Sequence, residues 1–427
     1  MALILFGSFF LLLLIGMPVA FALALAAWAA IGLGSNYPEI VVVKEMFSGL
    51  DSFPLMAVPF FILAAELMTS GAMTQILLRF ASQFVGHFRG GLGYANVVSS
   101  TMFAGISGSA LADAAGPGAM MIRMMEKDGY DKSYASALTA SASVVGPIIP
   151  PSIIMILYAM QDNRVSVIAL FMAGLIPGIL ISSAMAATNW YVCRTRGFRS
   201  QSPRPPFDEM VRTTFKALPA IFLIVLIIGG IRSGMFTPTE ASVVAVFYAL
   251  LCGLFLYRSL RLRDLPEIVF RSALVTAAIL LILAAARAFA WIIIIEGIPQ
   301  AIAATIVSWD LSPVLFLLAI NVLLLVFGLF MDPLPGVMIL VPILSPIAHS
   351  LGIDPIHFAI VVIVNLTIGL LTPPVGALLF VVSSAVKIRV SDIIREMPPF
   401  LVAHFLVLLA ITFIPALSTW LPKMGGY

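Results

Sequence analysis

The sequence predicts an all-α polytopic membrane protein made of two inverted repeats, each with a re-entrant helical hairpin and a discontinuous helix. Three observations predict this fold class: an apolar composition, apolar runs long enough to cross a bilayer, and a Gly-x-x-x-Pro-Pro break that occurs twice. Hydrophobic residues make up 61% of the 427 residues and charged residues 10%, whereas soluble proteins carry about 25% charged residues. A chain of this composition belongs in a membrane.

The apolar runs predict the membrane segments. Runs 3–34 and 401–421 both exceed the roughly 20 residues that a membrane helix needs. They are continuously apolar rather than alternating, which favours helices over the strands of a barrel. The predicted segments are 3–33, 53–78, 133–160, 165–192, 216–232, 238–258, 272–292, 355–386 and 398–421.

Two further apolar regions are interrupted by short turns rich in Gly, Pro and polar residues. Region 94–125 contains "GISGSALADAAGPG", and region 311–350 contains "GLFMDPLPG". Each pattern predicts a helical hairpin that enters the membrane and returns. Such backbone is tolerated at membrane depth only where protein or a watery cavity covers it.

A polar stretch near the midpoint predicts the division of the chain. Residues 194–216 read as a linker between a first repeat, 1–193, and a second repeat, 217–427. This linker and the loop 258–271 are both basic, so the positive-inside rule places them in the cytoplasm. Counting spans from these loops predicts a cytoplasmic N-terminus, an external C-terminus and hairpins on opposite sides.

The two halves repeat one pattern. "DGYD", fourteen residues and "GPIIPPS" match "LGID", fourteen residues and "GLLTPPV". Gly146 aligns with Gly369, and the pair at 150–151 aligns with the pair at 373–374. Inverted repeats with discontinuous helices are typical of secondary transporters, whose sites lie near the middle of the membrane.

The breaks predict ion chemistry. Proline has no N–H group, and its ring clashes with the carbonyl one turn back, so each break leaves backbone carbonyls without partners. Carbonyls in lipid are costly, but inward-facing carbonyls can bind a hard cation such as Na⁺. Helix halves that restart after a break present their positive N-terminal ends to an anion.

Polar side chains at membrane depth are candidates for function. For any single hydroxyl, the alternative is a bond to a carbonyl of its own helix, and an Asp before Pro could serve only as a turn or cap. The candidates at the tips and breaks are Ser107, Ser109, Asp113, Thr139, Ser141, Ser143, Asp332, Asn365, Thr367 and Thr372. Glu66 in "LAAEL" and Arg287 in "LAAAR" occupy comparable places in the repeats, where a structural role as an ion pair or as snorkelling groups is predicted.

Other chemistries are disfavoured. The chain has no phosphate-binding glycine loop with Lys-Ser/Thr, and its four histidines have no metal-ligand spacing. Its two cysteines are far apart in sequence, so structural thiols are favoured over a disulfide or a metal site. We expect no cofactor and no metal other than Na⁺. We also expect no nucleic acid as a partner, because the basic residues lie in loops between spans.

Over nearly its whole length the sequence resembles the large membrane subunit of the tripartite ATP-independent periplasmic (TRAP) transporters. The motifs that carry this resemblance are "FAGISGSALADAAGPG", "GPIIPPS", "TPTEA", "MDPLPGVMILVPILSPIA", "LGIDPIHF" and "NLTIGLLTPPVG". The resemblance implies a multi-pass protein of the bacterial inner membrane that imports an organic acid by Na⁺ symport. It implies an elevator mechanism, a separate small four-span membrane subunit and a periplasmic substrate-binding protein.

The resemblance also implies site residues. One Na⁺ site would use Ser107, Ser109 and the carbonyls of Gly146, Ile149 and Pro151, and a second would use Gly328, Gly369, Thr372 and Val375. The substrate would lie between the hairpin tips. The substrate-binding candidates are Asp113, Ser143, Asp332, Asn365 and Thr367.

Two rival functions remain open. The first is a single-component carboxylate transporter, coupled to Na⁺ or H⁺, that works without a binding protein. The second is an intramembrane serine protease, because "GISGS" contains Gly-x-Ser-Gly. A protease of this kind needs a histidine base within hydrogen-bond reach of Ser107 or Ser109, and the motif does not account for the repeat. We therefore expect a transporter and not an enzyme.

Overall fold

The structure, a computed structural model, describes residues 1–70, 72–198, 205–308, 312–373 and 375–427. Every regular element in these ranges is helical. The prediction of an all-helical membrane fold is confirmed. Pro374, the last proline of the second break, lies outside the described residues.

The first half contains eleven α-helices among the described residues. A 3₁₀ turn precedes α4, and a π-helical turn joins α7 to α8 without interruption. The helices are α1 (Ala2–Leu14), α2 (Val19–Gly34), α3 (Ile40–Leu50), α4 (Ala57–Ser70), α5 (Met73–Val85), α6 (Gly91–Ser107), α7 (Ala110–Asp113), α8 (Ala119–Lys127), α9 (Lys132–Ser143), α10 (Ile153–Gln161) and α11 (Val167–Arg196).

The second half also contains eleven α-helices in the part that the structure describes. They are α12 (Phe207–Arg232), α13 (Pro238–Leu251), α14 (Leu265–Ile295), α15 (Ile298–Ser308), α16 (Pro313–Phe330), α17 (Pro333–Ser350), α18 (Pro355–Gly369), α19 (Ala377–Val386), α20 (Val390–Glu396), α21 (Pro398–Phe413) and α22 (Ala416–Met424).

Seven described helices are long and apolar enough to cross a membrane, or eight if the bent pair α20–α21 counts as one span. They include α11, α12 and α14, the last of which has 31 residues and a length of about 46 Å. A helix of this length extends beyond the roughly 30 Å hydrocarbon core of a bilayer. The prediction of a multi-pass membrane protein is confirmed.

The first predicted span, 3–33, is wrong. The chain turns at Gly16, which has φ of +86°, and α1 and α2 pack against each other as a hairpin. The end of α2 returns to the start of α1, because a Cβ on Gly34 would lie 3.2 Å from Met1 Cγ. The N-terminal amine lies 3.4 Å from Glu296 at the end of α14. The N-terminus therefore lies at the end of α14 that the span count assigned to the external side, so the predicted cytoplasmic N-terminus does not follow.

The predicted linker, 194–216, is too long. Helix α11 continues to Arg196, and α12 begins at Phe207. Residues 199–204 lie outside the described part of the chain. Helix α12 begins nine residues before the predicted span because its first turns are polar, with Asp208 and Glu209 at the N-terminal end where the helix dipole favours acidic side chains.

The two predicted broken helices have the same local design. Asp131 caps α9 by accepting hydrogen bonds from two backbone N–H groups, and Asp354 caps α18 in the same way. Residues 144–152 interrupt the first helix, and the second is divided into α18, which ends at Gly369, and α19, which begins at Ala377. Each break is preceded by a hairpin, α6–α8 or α16–α17, so the order of elements is the same in both halves.

Candidate functional site

The tip of the first hairpin is closed by side-chain hydrogen bonds. Helix α6 ends at Ser107, and Gly108 turns the chain with φ of +61°. The Ser107 hydroxyl donates to Asp113 Oδ1 over 2.6 Å, and the Ser109 N–H donates to Ser107 Oγ over 3.2 Å. Ser109 then caps the next helix, because its Oγ accepts from the Ala112 N–H. The predicted Na⁺ ligands Ser107 and Ser109 therefore lie together, next to a carboxylate.

The first break packs directly on this tip. A Cβ on Gly146 would lie 2.9 Å from Asp113 Oδ2, and a Cβ on Gly108 would lie 2.5 Å from the Pro151 carbonyl oxygen. Glycine is needed at both places because a side chain would meet these atoms. Asp113 Oδ2 is buried without a hydrogen-bond partner among the described residues. Ile149, another predicted carbonyl ligand, lies in the same break, and its side chain packs on α11.

The second tip and the second break come together in the same way. Asp332 caps α17, with its Oδ1 accepting from the Leu334 N–H over 2.9 Å. Helices α16 and α18 cross with their backbones in contact, since a Cβ on Gly369 would lie 2.6 Å from Gly328 Cα. Small residues allow this close approach of membrane helices.

Two further predicted ligands follow Gly369. The Thr372 hydroxyl donates to the Ile368 carbonyl near the end of α18 over 3.1 Å, so its hydrogen is used there while its oxygen can still accept or ligate. Val375 comes just before Gly376, which has φ of +52° and begins the second half of the helix. The Leu378 N–H closes this loop on the Leu370 carbonyl over 3.2 Å.

A cavity of about 410 Å³ lies between the two hairpin tips. Its walls come from both tips, both breaks and the long helices α4 and α14. Among the predicted residues it is lined by Ser107, Ser109, Asp113 and Asp332. We call it the tip cavity.

Three helices begin at the tip cavity. The first-turn residues of α10 and α17, and the start of the continuous helical segment 110–127, all line it. The free N–H groups and positive dipole ends of helix N-termini favour an anion. Because no described residue that lines the cavity is Lys, Arg or His, the helix ends are its source of positive potential.

Three predicted substrate residues lie away from the tip cavity. The Ser143 hydroxyl donates to the Thr139 carbonyl over 2.8 Å, and the Thr367 hydroxyl donates to the Ile363 carbonyl over 2.6 Å. Asn365 Nδ2 donates to Asn321 Oδ1 over 2.7 Å. All three are buried in helix contacts, so the structure gives them bonds to helices rather than a place in the cavity wall.

Sequence reasoning assigned only a structural role to one residue of the cavity wall. Glu66 lies on α4 and lines the tip cavity with Thr69. It lies in a different cavity wall from Arg287 and has no ion pair with any described residue, so of the two structural roles predicted for these residues the ion pair is wrong. The signal was available, because an ionisable side chain within a membrane helix is a functional candidate by default.

Two hairpin tips and two helix breaks thus meet at one cavity inside a helical membrane protein. This is the architecture of a membrane transport protein. The family model described as "Tripartite ATP-independent periplasmic transporter, DctM component" matches residues 6–417. The chain belongs to this family, and it is a large permease subunit of the inner membrane.

Two named relatives agree with this assignment, and a solved structure shares the fold. The chain is 39% identical over 413 residues to the sialic acid TRAP transporter large permease protein of Vibrio cholerae, covering 97% of this chain and 96% of the relative. It is 40% identical over 382 residues to the C4-dicarboxylate TRAP transporter large permease protein of Pseudomonas aeruginosa, covering 90% and 89%. The crystal structure of the Alcanivorax borkumensis YdaH transporter is similar with a TM-score of 0.62 at 13% identity, covering 89% of this chain and 87% of that chain. That likeness concerns the fold alone.

Proposed function

We propose that this subunit imports an organic acid, whose carboxylate binds in the tip cavity at the helix N-termini, together with Na⁺. The observation that carries the proposal is the cavity itself, about 410 Å³ in volume, where three helix starts supply positive potential beside the acidic side chains Glu66, Asp113 and Asp332. That volume suits a small molecule. The named substrates of the two relatives, sialic acid and C4-dicarboxylates, both carry carboxylates.

The Na⁺ part of the proposal rests on the first tip. Asp113 Oδ2 is buried and unpartnered among the described residues, close to Gly146 and beside the Ser107 hydroxyl. Oxygen ligands of this kind suit a hard cation. A bare carboxylate would repel an organic acid, whereas a cation at Asp113 would balance its charge. Asp113 therefore serves the cation, and the substrate carboxylate binds beside it.

The three-component assembly belongs to the same proposal. A small membrane subunit would hold the fixed helices, and a periplasmic binding protein would deliver the acid. The elevator step would carry the hairpins and broken helices past α4 and α14, which form the other wall of the cavity. The serine protease rival is disfavoured, because none of the described residues lining the tip cavity is a histidine and the Ser107 hydroxyl donates to Asp113.

The test is uptake into proteoliposomes that contain this chain and its small partner subunit. Labelled succinate and N-acetylneuraminate are supplied with the binding protein, in Na⁺ medium and in Na⁺-free medium with a proton gradient. We expect uptake of one acid that requires both Na⁺ and the binding protein. Uptake that needs only this chain would establish the single-component rival, and equal uptake without Na⁺ would overturn the coupling ion.

A further inference from the structure

A second cavity lies beside the other half of α14. It has a volume of about 290 Å³. Its walls come from the end of α3, the turn before α4, the end of α10 and the second half of α14. Its polar lining residues are Ser48, Ser52, Gln161, Asn163 and Arg287.

Arg287 is the charged group of this second cavity. The side chain is half-buried and has no ion pair with any described residue. Its aliphatic stem is held by Gly49, because a Cβ there would lie 2.7 Å from Arg287 Cβ and 2.9 Å from its Cγ. Guanidinium groups bind carboxylates through two parallel hydrogen bonds. No acidic residue is among the described residues that line this cavity, so an incoming anion would meet no competitor.

Arg287 lies on the same face of α14 as the wall of the tip cavity. Val275 and Ile279 line the tip cavity, while Leu283 and Arg287 line the second cavity. Residues spaced by four lie above one another on a helix, so these four form one stripe. Arg287 is eight residues beyond Ile279, which is about 12 Å along the helix axis.

The turn before α4 and α4 itself form a second wall in the same order. Pro54, in the turn that begins this segment, lines the second cavity, and Ile62 to Thr69 line the tip cavity. The two cavities are therefore stacked along α14 and along the segment Phe53–Ser70. The mobile wall differs: both hairpin tips face the tip cavity, whereas the end of α10 at Gln161 faces the second cavity.

We propose that the Arg287 cavity is a second binding position for the carboxylate substrate. It would be used at the end of the transport path where the C-terminal end of α14 lies. This proposal rests on the proposed function for the identity of the anion. A displacement of the hairpin tips by about 12 Å along α14 would bring the substrate carboxylate from the tip cavity to the level of Arg287. Arg287 is thus a specificity-determining residue for anions at that end.

The first readout is uptake of labelled succinate and N-acetylneuraminate by the reconstituted transporter. Arg287→Gln should raise the external half-saturation constant by about tenfold or more, the worth of one charge-assisted hydrogen bond. The constant measured from the inner side should change by less than about twofold, because Arg287 lies outside the tip cavity. For Arg287→Lys, the external half-saturation constant should lie between that of the wild type and that of Arg287→Gln.

Arg271→Gln is the matched control on the same helix. Arg271 is exposed and is paired with Glu267 one turn away, so its loss should leave both constants unchanged. If Arg287→Gln behaves like Arg271→Gln while the wild type transports either acid, the second binding position is refuted. If the wild type transports neither acid, the proposed function fails, and the second readout decides the anion site by itself.

The second readout needs no substrate. In a Ser52→Cys variant, the new thiol lies in the second cavity, while the native Cys193 and Cys252 are buried. An anionic methanethiosulfonate should label it faster than a cationic one. Adding Arg287→Gln should lower that rate ratio by about tenfold. An unchanged ratio would show that Arg287 does not attract anions into the cavity.

Discussion

Replacing Gly369 with alanine tests whether the crossing of α16 and α18 is as tight as its geometry indicates. The new Cβ would lie 2.6 Å from Gly328 Cα and 2.8 Å from its carbonyl carbon. Carbon atoms pack at about 3.5–4.0 Å, so the helices must separate by about 1 Å. The obstructing atoms are backbone and cannot rotate away, so we expect the upper end of the overpacking range, about 3 kcal/mol.

Replacing the facing residue, Gly328, with alanine tests a smaller overlap at the same crossing. A Cβ on Gly328 would lie 3.0 Å from Gly369 Cα and 3.1 Å from the Leu366 carbonyl oxygen. This smaller overlap should cost about 1 kcal/mol. Gly229, within α12, has nothing within 4 Å of an added Cβ, so Gly229→Ala should stabilise the helix by up to about 1 kcal/mol.

The assay is thermal unfolding of the purified subunit assembly in detergent, followed by the Na⁺ dependence of uptake. We expect the order of stability to be Gly229→Ala, wild type, Gly328→Ala and Gly369→Ala. The Na⁺ concentration for half-maximal uptake should rise in Gly369→Ala, because the proposed second Na⁺ site includes Gly328, Gly369 and Thr372. Equal stability of Gly369→Ala and Gly229→Ala would refute the reasoning about the crossing. Lower stability with an unchanged Na⁺ requirement would refute only the ion site.

Two other substitutions test buried hydrogen bonds. Ser107→Ala removes the donor to Asp113 Oδ1 and leaves that buried carboxylate with neither oxygen paired. A hydrogen bond to a charged group is worth about 1.5 kcal/mol or more. The half-saturating Na⁺ concentration for uptake should therefore change by about tenfold. Thr412→Val removes the acceptor of Asn321 Nδ2, which should lower the free energy of unfolding by about 1–3 kcal/mol without altering the Na⁺ requirement.

Each of these has a matched control in an ordinary helix. The Ser183 hydroxyl donates only to the Ile179 carbonyl of its own helix, near the surface, so Ser183→Ala should leave Na⁺ dependence unchanged. Thr195 is exposed and donates within its own helix, so Thr195→Val should leave thermal stability within about 0.5 kcal/mol of the wild type. A Ser107→Ala variant with wild-type Na⁺ dependence would remove the first tip from the cation proposal.

The parts of the fold that sequence predicts well are those with local chemical causes. The hairpin predicted at 311–350 contains α16 and α17 at Pro313–Phe330 and Pro333–Ser350. Its turn is marked by Asp332, a capping residue followed by proline, and such signals act within a few residues. The broken helix at 133–160 is marked in the same way, by Asp131 at its start and by glycine and prolines at the interruption.

The first 34 residues show where hydropathy fails. Their turn, at Gly16 and Pro18, is as apolar as the helices on either side, so the run looks like one span. Hydropathy measures the environment of a segment and not its direction. The hydrogen-bonded set Asn321, Asn365 and Thr412 shows a second limit: it joins positions 44 and 91 residues apart, and only the packing of three helices brings them together.

Glu66 and Arg287 show a third limit, which concerns symmetry. They occupy comparable places in the two repeats, and a strictly symmetric structure would give them comparable surroundings. Instead Glu66 faces the hairpin tips, and Arg287 faces the end of α10 in a different cavity. In the proposed transport cycle the hairpins occupy both ends of a path, and a repeated sequence cannot specify which end they occupy in one structure. The unequal surroundings of these two residues show where the hairpins are in this structure, because the tips lie beside the first half of α14. If the hairpins move along α14 with a bound carboxylate, as proposed, the tips will leave Glu66 and reach Arg287, and the wall around the carboxylate will change from acidic to basic.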